Sequence, residues 1–263
     1  MNHMTAAAPR LLILRPRAEG KALAGIAKAA GWQPVLLPAM RFIFTGRAAA
    51  LNRKEFPALT IFTSPRGVAG FVRRLSPAAR ARLPQRRPGA AAAGPATAQA
   101  ARAAGFRVIA MASDGGFASL VRVLAVRFAA PGNPPATITL VSPEDETLGL
   151  QPLRRLFPEA KLTRMIVYAS APDPALRGAK GRLRAGAIAA IVAGSPRQWR
   201  FFSAALSPAL RKKMRGLPVI VPGATTAAAL RRDGVHTVYP APDFTARALR
   251  SALRRISVNR LSR

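Results

Sequence analysis

The feature that most constrains the fold of this chain is an internal repeat. Within the 263 residues, three short motifs recur in the same order, each about 130 residues further along the chain. The three pairs are Leu12-Ile-Leu-Arg-Pro16 with Thr139-Leu-Val-Ser-Pro143, Ile61-Phe-Thr-Ser-Pro65 with Ile191-Val-Ala-Gly-Ser-Pro196, and Gly94-Pro-Ala-Thr-Ala98 with Gly223-Ala-Thr-Thr-Ala227. Because chance could supply one such match but hardly three in order, the sequence predicts two successive units of similar structure.

The motif at residues 61–65 has the composition of a strand that turns into a helix. An apolar run ends at a serine, which is a favourable helix N-cap, and a proline follows at the first helical position. Val68, Phe71 and Leu75 continue with the spacing of a helix that is buried on one face. Strands that alternate with helices favour parallel sheets flanked by helices, so the predicted fold class is α/β with two domains.

Two extended, proline-containing stretches fall at matching places in the two units. They span residues 35–44 and 165–172, and we interpret them as paired crossovers between domains. The Arg- and Pro-rich residues 80–89 are interpreted instead as a loop or a helix end, and not as a domain boundary.

Composition excludes several classes of chemistry. The chain has no cysteine, which excludes disulfides, thiolate metal sites and a cysteine nucleophile. Its two histidines, His3 and His236, argue against a histidine triad or a zinc site. No apolar run approaches the ~18 residues of a membrane span, and residues 1–10 lack the apolar core of a secretory signal. We therefore expect a cytoplasmic protein that has no contact with a membrane.

The net charge of the chain is strongly positive. The 42 Lys and Arg residues outnumber the 10 Asp and Glu residues, which gives a charge of +32 and predicts attraction to acidic partners. The basic residues are spread along the chain instead of forming one arm, so we interpret polyanion binding as a nonspecific property. A basic nucleic-acid-associated protein remains an alternative, although only 6% of the residues are aromatic and could stack on bases.

The predicted strand ends carry hydroxyl side chains. In open parallel sheets, ligands bind beyond the carboxyl ends of the strands, where helices begin and backbone N–H groups are unpaired. The hydroxyls expected there belong to Thr63, Ser64, Thr97, Ser195, Thr225 and Thr226. Taken singly, each is explained by the capping of its own helix, which is worth ~1 kcal/mol. Six of them at equivalent strand ends favour a shared site for carboxylate or phosphate groups.

Nucleotide binding and catalysis by paired carboxylates lack support in the sequence. Neither a Gly-x-Gly-x-x-Gly segment after a strand nor a Walker loop occurs. Three acidic residues are consecutive, Glu144-Asp145-Glu146, and they follow Ser142-Pro143. This pattern is typical of the first turn of a helix, where negative charge opposes the positive end of the helix dipole.

In their order and spacing, these motifs resemble those of the uroporphyrinogen-III synthase family across nearly the whole chain. Besides the repeated segments, the resemblance includes Arg15-Pro16 after the first strand and Ile166-Val-Tyr168. It implies two domains joined by a two-stranded linker, a discontinuous first domain, and a cleft lined by the strand-end hydroxyls. The implied boundaries are 1–36 with 173–263 for the first domain, 45–164 for the second, and 37–44 with 165–172 for the linkers.

The resemblance also implies a reaction and its residues. The implied enzyme is a monomer without metal or organic cofactor, and it cyclises the linear tetrapyrrole hydroxymethylbilane to uroporphyrinogen III with inversion of the last ring and loss of water. Tyr168 matches the tyrosine of the family's linker motif and is the candidate proton donor; a tyrosine that only packs within the linker is the alternative. The residues matched to substrate binding are Arg15, Thr63, Ser64, Gly94, Thr97, Ser195, Gly223, Thr225 and Thr226.

The chain departs from the family pattern at two places. Ala193-Gly194-Ser195 replaces the usual Phe-Thr-Ser of the second copy, and this change removes a hydroxyl and an aromatic ring. The stretch from Ser142 to Glu146 replaces an Arg-Gly-like segment and adds negative charge, which would repel a polycarboxylate. A relative that has lost catalysis and binds another anion is therefore a further hypothesis.

Overall fold

The chain divides into two compact units. Unit 1 combines Met1–Arg41 with Ala171–Arg263, and unit 2 is Phe42–Ser170. Each unit is built on one sheet flanked by helices, so the predicted α/β fold class with two domains is confirmed. The computed structural model describes residues 8–45, 56–113, 115–129, 134–144, 149–184 and 187–261.

Strands and helices alternate along most of the chain. The strands of the described residues are β1 (Arg10–Ile13), β2 (Gln33–Leu36), β3 (Met40–Phe44), β4 (Leu59–Phe62), β5 (Gly89–Ala92), β6 (Arg107–Met111), β7 (Thr137–Pro143), β8 (Lys161–Pro172), β9 (Ile188–Val192), β10 (Val219–Val221) and β11 (Val238–Pro240). The α-helices are α1 (Arg17–Ala29), α2 (Pro65–Arg74), α3 (Pro77–Arg86), α4 (Pro95–Ala103), α5 (Phe117–Arg127), α6 (Gln151–Leu156), α7 (Ala179–Arg184), α8 (Pro196–Ala204), α9 (Pro208–Arg215), α10 (Ala224–Arg232) and α11 (Ala246–Leu261). Short 3-10 helices occupy Pro174–Gly178 and Pro242–Phe244.

The sheet of unit 1 has the strand order β11-β10-β9-β1-β2, and its neighbouring strands pair in parallel. Strand β9 is buried at every position, as expected for a parallel sheet that is covered on both faces. Successive residues of β1 alternate between two cores. Leu12 packs in the core that contains Trp199, whereas Leu11 and Ile13 pack in the core that contains Leu253 of α11.

The sheet of unit 2 has the strand order β3-β8-β7-β4-β5-β6, and the strands from β8 to β6 pair in parallel. Ile61 packs on one face of this sheet with Leu120 of α5. Phe62 packs on the other face against Phe71 and Phe106, with ring centroids 5.7 Å and 5.1 Å away in edge-on geometry. This aromatic cluster fixes α2 against the sheet, and thereby fixes the start of α2 at the carboxyl end of β4.

The stretches predicted as interdomain linkers are strands in the structure. Residues 37–44 include β3, residues 165–172 form the C-terminal part of β8, and the two strands are neighbours in one sheet. Their role in joining the domains and the duplication of the chain stay predictions.

Of the two interpretations of residues 80–89, a loop or a helix end, the structure shows the helix end, and no boundary between the units falls there. Helix α3 continues to Arg86, and β5 begins at Gly89. The helix forms because the Ser76 hydroxyl accepts a hydrogen bond from the Ala79 N–H at 3.2 Å and because Leu83 is buried. Burial of one face thus outweighs the helix-breaking tendency of the proline within this segment.

The helix first turn predicted for the acidic run stays a prediction, and Glu144 is the one residue of the run that the structure describes. This residue directly follows β7, and its N–H donates to the carbonyl oxygen of Tyr168 at 2.8 Å. Among the described residues, the next helix is α6, which begins at Gln151. Asp145 and Glu146 lie outside the described residues.

Candidate active site

The carboxyl end of β4 in unit 2 carries Thr63 and Ser64. The Ser64 hydroxyl accepts a hydrogen bond from the Gly67 N–H at 3.1 Å and so caps α2, while the Thr63 hydroxyl donates to the carbonyl oxygen of Val141 at 3.4 Å. Pro65 occupies the first helical position, where its missing N–H costs nothing. The short segment between β4 and α2 is therefore held by side-chain hydrogen bonds at both hydroxyls.

Tyr168 lies beside this helix start. Its hydroxyl oxygen is 3.0 Å from the Ser64 hydroxyl oxygen, and either group can donate in this hydrogen bond. The tyrosine is only 6% exposed, although it lies 104 residues further along the chain than Ser64. The structure thus places the predicted proton donor one hydrogen bond away from the positive end of the α2 dipole.

A register shift in β8 helps to position Tyr168. Ser142 of β7 pairs with Ile166, but the next residue, Pro143, pairs with Tyr168, so that Val167 is passed over. Neighbouring residues of a strand normally face opposite sides of a sheet, yet Val167 and Tyr168 both pack in the core with Phe62. Bulges of this kind redirect side chains at functional sites.

Helix α2 approaches β8 closely because Gly70 has no side chain. A Cβ atom at this glycine would lie 2.7 Å from the Cβ of Val167, which is closer than two non-bonded carbon atoms approach each other. The glycine therefore allows the helix that carries Ser64 to pack directly on the strand that carries Tyr168.

Two further side chains surround Tyr168, and sequence reasoning missed both. The Phe42 ring packs edge-on to the Tyr168 ring at a centroid distance of 5.8 Å. The guanidinium carbon of Arg66 lies 3.7 Å from the centroid of Phe42, which is a cation–π contact. No local motif marks this stack, because its members come from β3, α2 and β8.

Gly94 and Thr97 follow β5, the neighbour of β4, and so lie at the same edge of the sheet. Gly94 has extended backbone (φ 172°) and precedes α4, in which Thr97 is the third residue. Thr97 is only 5% exposed. Thr97 is therefore buried at the start of α4 and does not lie on open surface.

Arg164 supplies positive charge beside the acidic departure at the end of β7. Its Nε donates to the buried Ser142 hydroxyl at 2.9 Å, and its Nη2 donates to the carbonyl oxygen of Pro143 at 3.1 Å. Glu144 is exposed to solvent, where charge repulsion is screened. The sequence suggested a locally negative strand end, and the structure adds a guanidinium group to it.

The equivalent edge of unit 1 carries Ser195 after β9. Its hydroxyl accepts from the Gln198 N–H at 3.3 Å, and the Gln198 side-chain oxygen accepts from the Gly194 N–H at 2.8 Å. The two bonds give partners to the backbone N–H groups of Gly194 and Gln198, on either side of Ser195, in a pattern similar to a capping box. Ser195 therefore caps α8 as Ser64 caps α2.

Arg15 follows β1, the neighbour of β9, and its side chain lies over Gly194. A Cβ atom at Gly194 would lie 2.1 Å from Nη1 of Arg15 and 2.6 Å from its Cδ, so only glycine leaves room for this conformation. Arg15 also forms an ion pair with Glu19, one helical turn further on, and its guanidinium carbon is 5.5 Å from the ring centroid of Phe244. The four-residue spacing of Arg15 and Glu19 was visible in the sequence, but the role of Gly194 was not.

Gly223, Thr225 and Thr226 follow β10, the other neighbour of β9. Gly223 is extended (φ −176°) and precedes α10. Thr225 is exposed, whereas Thr226 is only 7% exposed. The buried Thr226 stands three residues after its glycine, as Thr97 does in unit 2.

The structure therefore brings the predicted residues together in two groups, one at the carboxyl edge of each sheet. The group of unit 1 comprises Arg15, Ser195, Gly223, Thr225 and Thr226, and the group of unit 2 comprises Thr63, Ser64, Gly94, Thr97 and Tyr168. Neither sheet edge offers a metal site: no cluster of three or more His, Cys, Asp or Glu side chains occurs among the described residues. The same residues contain no helix with the length and apolar character of a membrane span.

Two parallel-sheet units with polar side chains at their strand ends define a class of α/β proteins that bind small molecules at the starts of helices. A family model described as uroporphyrinogen-III synthase HemD matches residues 21–251 of the chain. The chain thus belongs to the uroporphyrinogen-III synthase family, whose members are cyclising lyases of tetrapyrrole biosynthesis and act on a tetrapyrrole substrate.

Solved structures of this family share the fold. A mutant uroporphyrinogen III synthase from the extremely thermophilic bacterium Thermus thermophilus has a TM-score of 0.57 and 17% identity, with 97% of this chain and 100% of that chain covered. Uroporphyrinogen-III synthetase from Helicobacter pylori 26695 has a TM-score of 0.59 and 14% identity, with 94% and 99% covered. No curated protein sequence matches the chain significantly.

Proposed function

We propose that this chain cyclises hydroxymethylbilane to uroporphyrinogen III through the residues at the two sheet edges. The observation that carries the proposal is the hydrogen bond between Tyr168 and Ser64 at the start of α2. It places a phenol, the hydroxyl that partners it and a helix dipole together at a strand end, where the family's motifs predict the site.

Tyr168 assists the departure of the terminal hydroxyl of the substrate. When the Ser64 hydroxyl donates to the phenol oxygen, the phenol proton is directed elsewhere and can pass to the leaving hydroxyl, which departs as water. The positive end of the α2 dipole stabilises the negative charge that develops on the phenol oxygen. Ring closure later releases one proton, which returns to the Tyr168 phenolate, so the net change is the loss of one water molecule from the substrate.

The remaining task is to position the electrophile that forms. The substituted carbon of the last ring attacks it to give a spiro intermediate, which reopens and closes with that ring inverted. Because the uncatalysed reaction closes directly to the uninverted isomer, catalysis depends on how the folded substrate is held. The type of isomer formed therefore reports on positioning, and the rate reports on the departure of water.

The chain would hold the substrate through the carboxylate groups of the substrate. Arg15 supplies a guanidinium group at the edge of unit 1, and the starts of α8 and α10 supply backbone N–H groups beside Ser195 and Thr225. In unit 2, the starts of α2 and α4 supply such N–H groups beside Thr63, Ser64, Gly94 and Thr97. The net charge of +32 adds a general attraction for a polycarboxylate.

We expect a monomer that needs no cofactor, as the resemblance to the family implies. The cytoplasmic location of the enzyme and its nonspecific affinity for polyanions stay predictions. A salt titration of RNA binding tests the affinity, which should fall steeply as the salt concentration rises.

The isomer ratio of the product tests the proposed function. Purified chain is supplied with hydroxymethylbilane, and the type III and type I products are separated and quantified. We expect type III to predominate and to form faster than type I forms without protein. Formation of type I alone, at the uncatalysed rate, would show a relative that has lost catalysis.

A further inference from the structure

Unit 1 carries a second concentration of polar groups away from the strand ends. It is a surface depression of about 280 Å³ among α8, α9 and the C-terminal end of α10, and Trp199, Ser203, Arg211, Arg215 and Asp233 contribute to its lining. These residues lie in the middle or last turns of their helices or just beyond them, whereas the strand-end site lies at the helix starts. The depression is therefore separate from the residues assigned to the cyclisation.

Three hydrogen-bonding atoms that belong to residues around this depression are buried without a protein partner. They are the indole Nε1 of Trp199, the hydroxyl oxygen of Ser203 and the Nε of Arg215, and none has a hydrogen bond within the described part of the chain. Trp199 is the most completely enclosed of the three, with 1% exposure. Because a buried polar group without a partner costs ~1–3 kcal/mol, three such groups at one place call for a common ligand.

All three groups can donate a hydrogen bond. The indole N–H and the guanidinium N–H can only donate, and the serine hydroxyl can donate or accept. Trp199 and Ser203 are four residues apart on α8 and so lie on the same helix face, while Arg215 approaches from the end of α9. A ligand that accepts hydrogen bonds from several directions matches this arrangement.

The charge and the rigidity of the depression also favour an anion. Arg200, Arg211 and Arg215 line it against the single carboxylate of Asp233. Arg211 is fixed, because its Nε donates to the Ser203 carbonyl oxygen at 3.0 Å and its Nη2 donates to that of Leu206 at 3.3 Å. The positive charge is thus held in place before any ligand arrives.

We propose that this depression is a binding site for a tetrahedral oxyanion, such as inorganic phosphate or the phosphate group of a small metabolite. A phosphate group presents several strong acceptor oxygens in different directions, which suits donors on two helices. The volume of about 280 Å³ is near the lower end of small-molecule sites, which span roughly 300–1,000 Å³. The binding of phosphate here is separate from the cyclisation and does not depend on it.

Fluorescence of Trp199 provides the test. The chain has two tryptophans, so Trp32→Phe leaves Trp199 as the only indole. Potassium phosphate is titrated into this variant at constant ionic strength, with potassium chloride as the balancing salt. We expect a saturable change in emission that sulfate reproduces and that acetate reproduces only weakly.

Two substitutions locate the site, and one serves as a control. Ser203→Ala and Arg215→Gln should each weaken phosphate binding about tenfold, the factor expected for the loss of a hydrogen bond to a charged group. Arg247→Gln removes an exposed arginine of α11 and should leave the affinity unchanged. Far-UV circular dichroism and a melting curve establish that each variant is folded.

The outcomes separate the ligands and decide the proposal. Tighter binding of a nucleoside monophosphate than of phosphate identifies an organic phosphate, and equal binding identifies the free ion. If Ser203→Ala does not fold, phosphate binding to Arg215→Gln and to Trp199→Phe is measured by calorimetry instead. Each affinity is then compared with that of the parent protein. A response that does not saturate, that chloride reproduces, or that both substitutions leave intact overturns the proposal and leaves ordered water as the partner of these donors.

Discussion

The carboxyl edges of the two units share a framework and differ in the chemistry attached to it. Ser64 and Ser195 have nearly the same backbone angles (φ −157°, ψ 158° and φ −163°, ψ 160°), and each accepts a hydrogen bond from the N–H three residues later. The residue before the serine differs. In unit 2 it is Thr63, and in unit 1 it is Gly194.

This difference shows how one structural motif carries two kinds of site. In unit 2 the capping serine also contacts the phenol of Tyr168. In unit 1 the missing side chain at Gly194 leaves room for the guanidinium group of Arg15. We infer that the edge of unit 2 assists the chemical step as well as holding the substrate, and that the edge of unit 1 acts through the binding of substrate carboxylates.

The largest effect is expected from Tyr168→Phe. This change removes the phenol hydroxyl, and we expect kcat to fall about 100-fold, the lower range for loss of a general acid. Tyr239 is the other tyrosine of the chain, and its hydroxyl accepts a hydrogen bond from Asn259 at 2.9 Å. Tyr239→Phe is therefore the matched control and should keep the wild-type kcat. Full activity of Tyr168→Phe would exclude the tyrosine from the mechanism.

Arg15→Ala should act on binding. The substitution removes a charge-assisted contact to a substrate carboxylate, so we expect KM to rise about tenfold with a smaller change in kcat. Arg17 is exposed and two residues away, and Arg17→Ala controls for the loss of one positive charge. Equal KM values for the two variants would mean that Arg15 contributes only its charge to the general field.

Gly194→Ala tests whether glycine sets the position of Arg15. The added Cβ would clash with the mobile end of Arg15, so the arginine must move while the fold is kept. We expect KM to rise about fivefold, and no further rise when the change is made in an Arg15→Ala background. Gly25→Ala adds a methyl group in open space on α1 and serves as the control. If the effects of the two changes on KM are additive, Gly194 does not act through Arg15.

The smallest effects are expected at the capping serines. Ser64→Ala and Ser195→Ala should each lower the free energy of unfolding by about 1 kcal/mol, because each removes a helix cap. Only Ser64→Ala should also lower kcat, by about threefold, since it removes the hydrogen-bond partner of Tyr168. Chemical denaturation and steady-state kinetics measure the two effects. The same loss of kcat in both variants would contradict the difference between the two edges.

The fold could be predicted from sequence where local signals agreed with burial. Each Ser-Pro pair at residues 64–65 and 195–196 marked a strand end and a helix start, because cap and proline act within a few residues. For residues 80–89 the sequence left a loop and a helix end open, because arginine and proline dominate the composition, and the burial of Leu83 favours the helix. The contact of Glu144 with Tyr168 was not predictable, because the pairing of β7 with β8 joins segments that are distant in the sequence.

The candidate site was predictable in its parts but not in its contacts. Thr97 and Thr226 lie at helix starts as predicted, but no local pattern indicated that both are buried. The contact of Tyr168 with Ser64 requires the register of β8 and the close approach of α2 at Gly70. Gly194 was interpreted as the loss of a hydroxyl, since its contact with Arg15 arises only when β1 and β9 pair. Such contacts between distant segments depend on packing, which a short motif does not contain.

The division of work between the two edges is tested most directly by single-turnover rates at enzyme concentrations high enough to bind all of the hydroxymethylbilane. Tyr168→Phe and Arg15→Ala are measured beside the wild-type protein, with enzyme in excess and both isomers quantified. We expect Tyr168→Phe to stay slow at saturation and Arg15→Ala to approach the wild-type rate. A rate for Tyr168→Phe that reaches the wild-type value at saturation, while Arg15→Ala stays slow, would contradict the assignment of chemistry to unit 2 and of binding to unit 1.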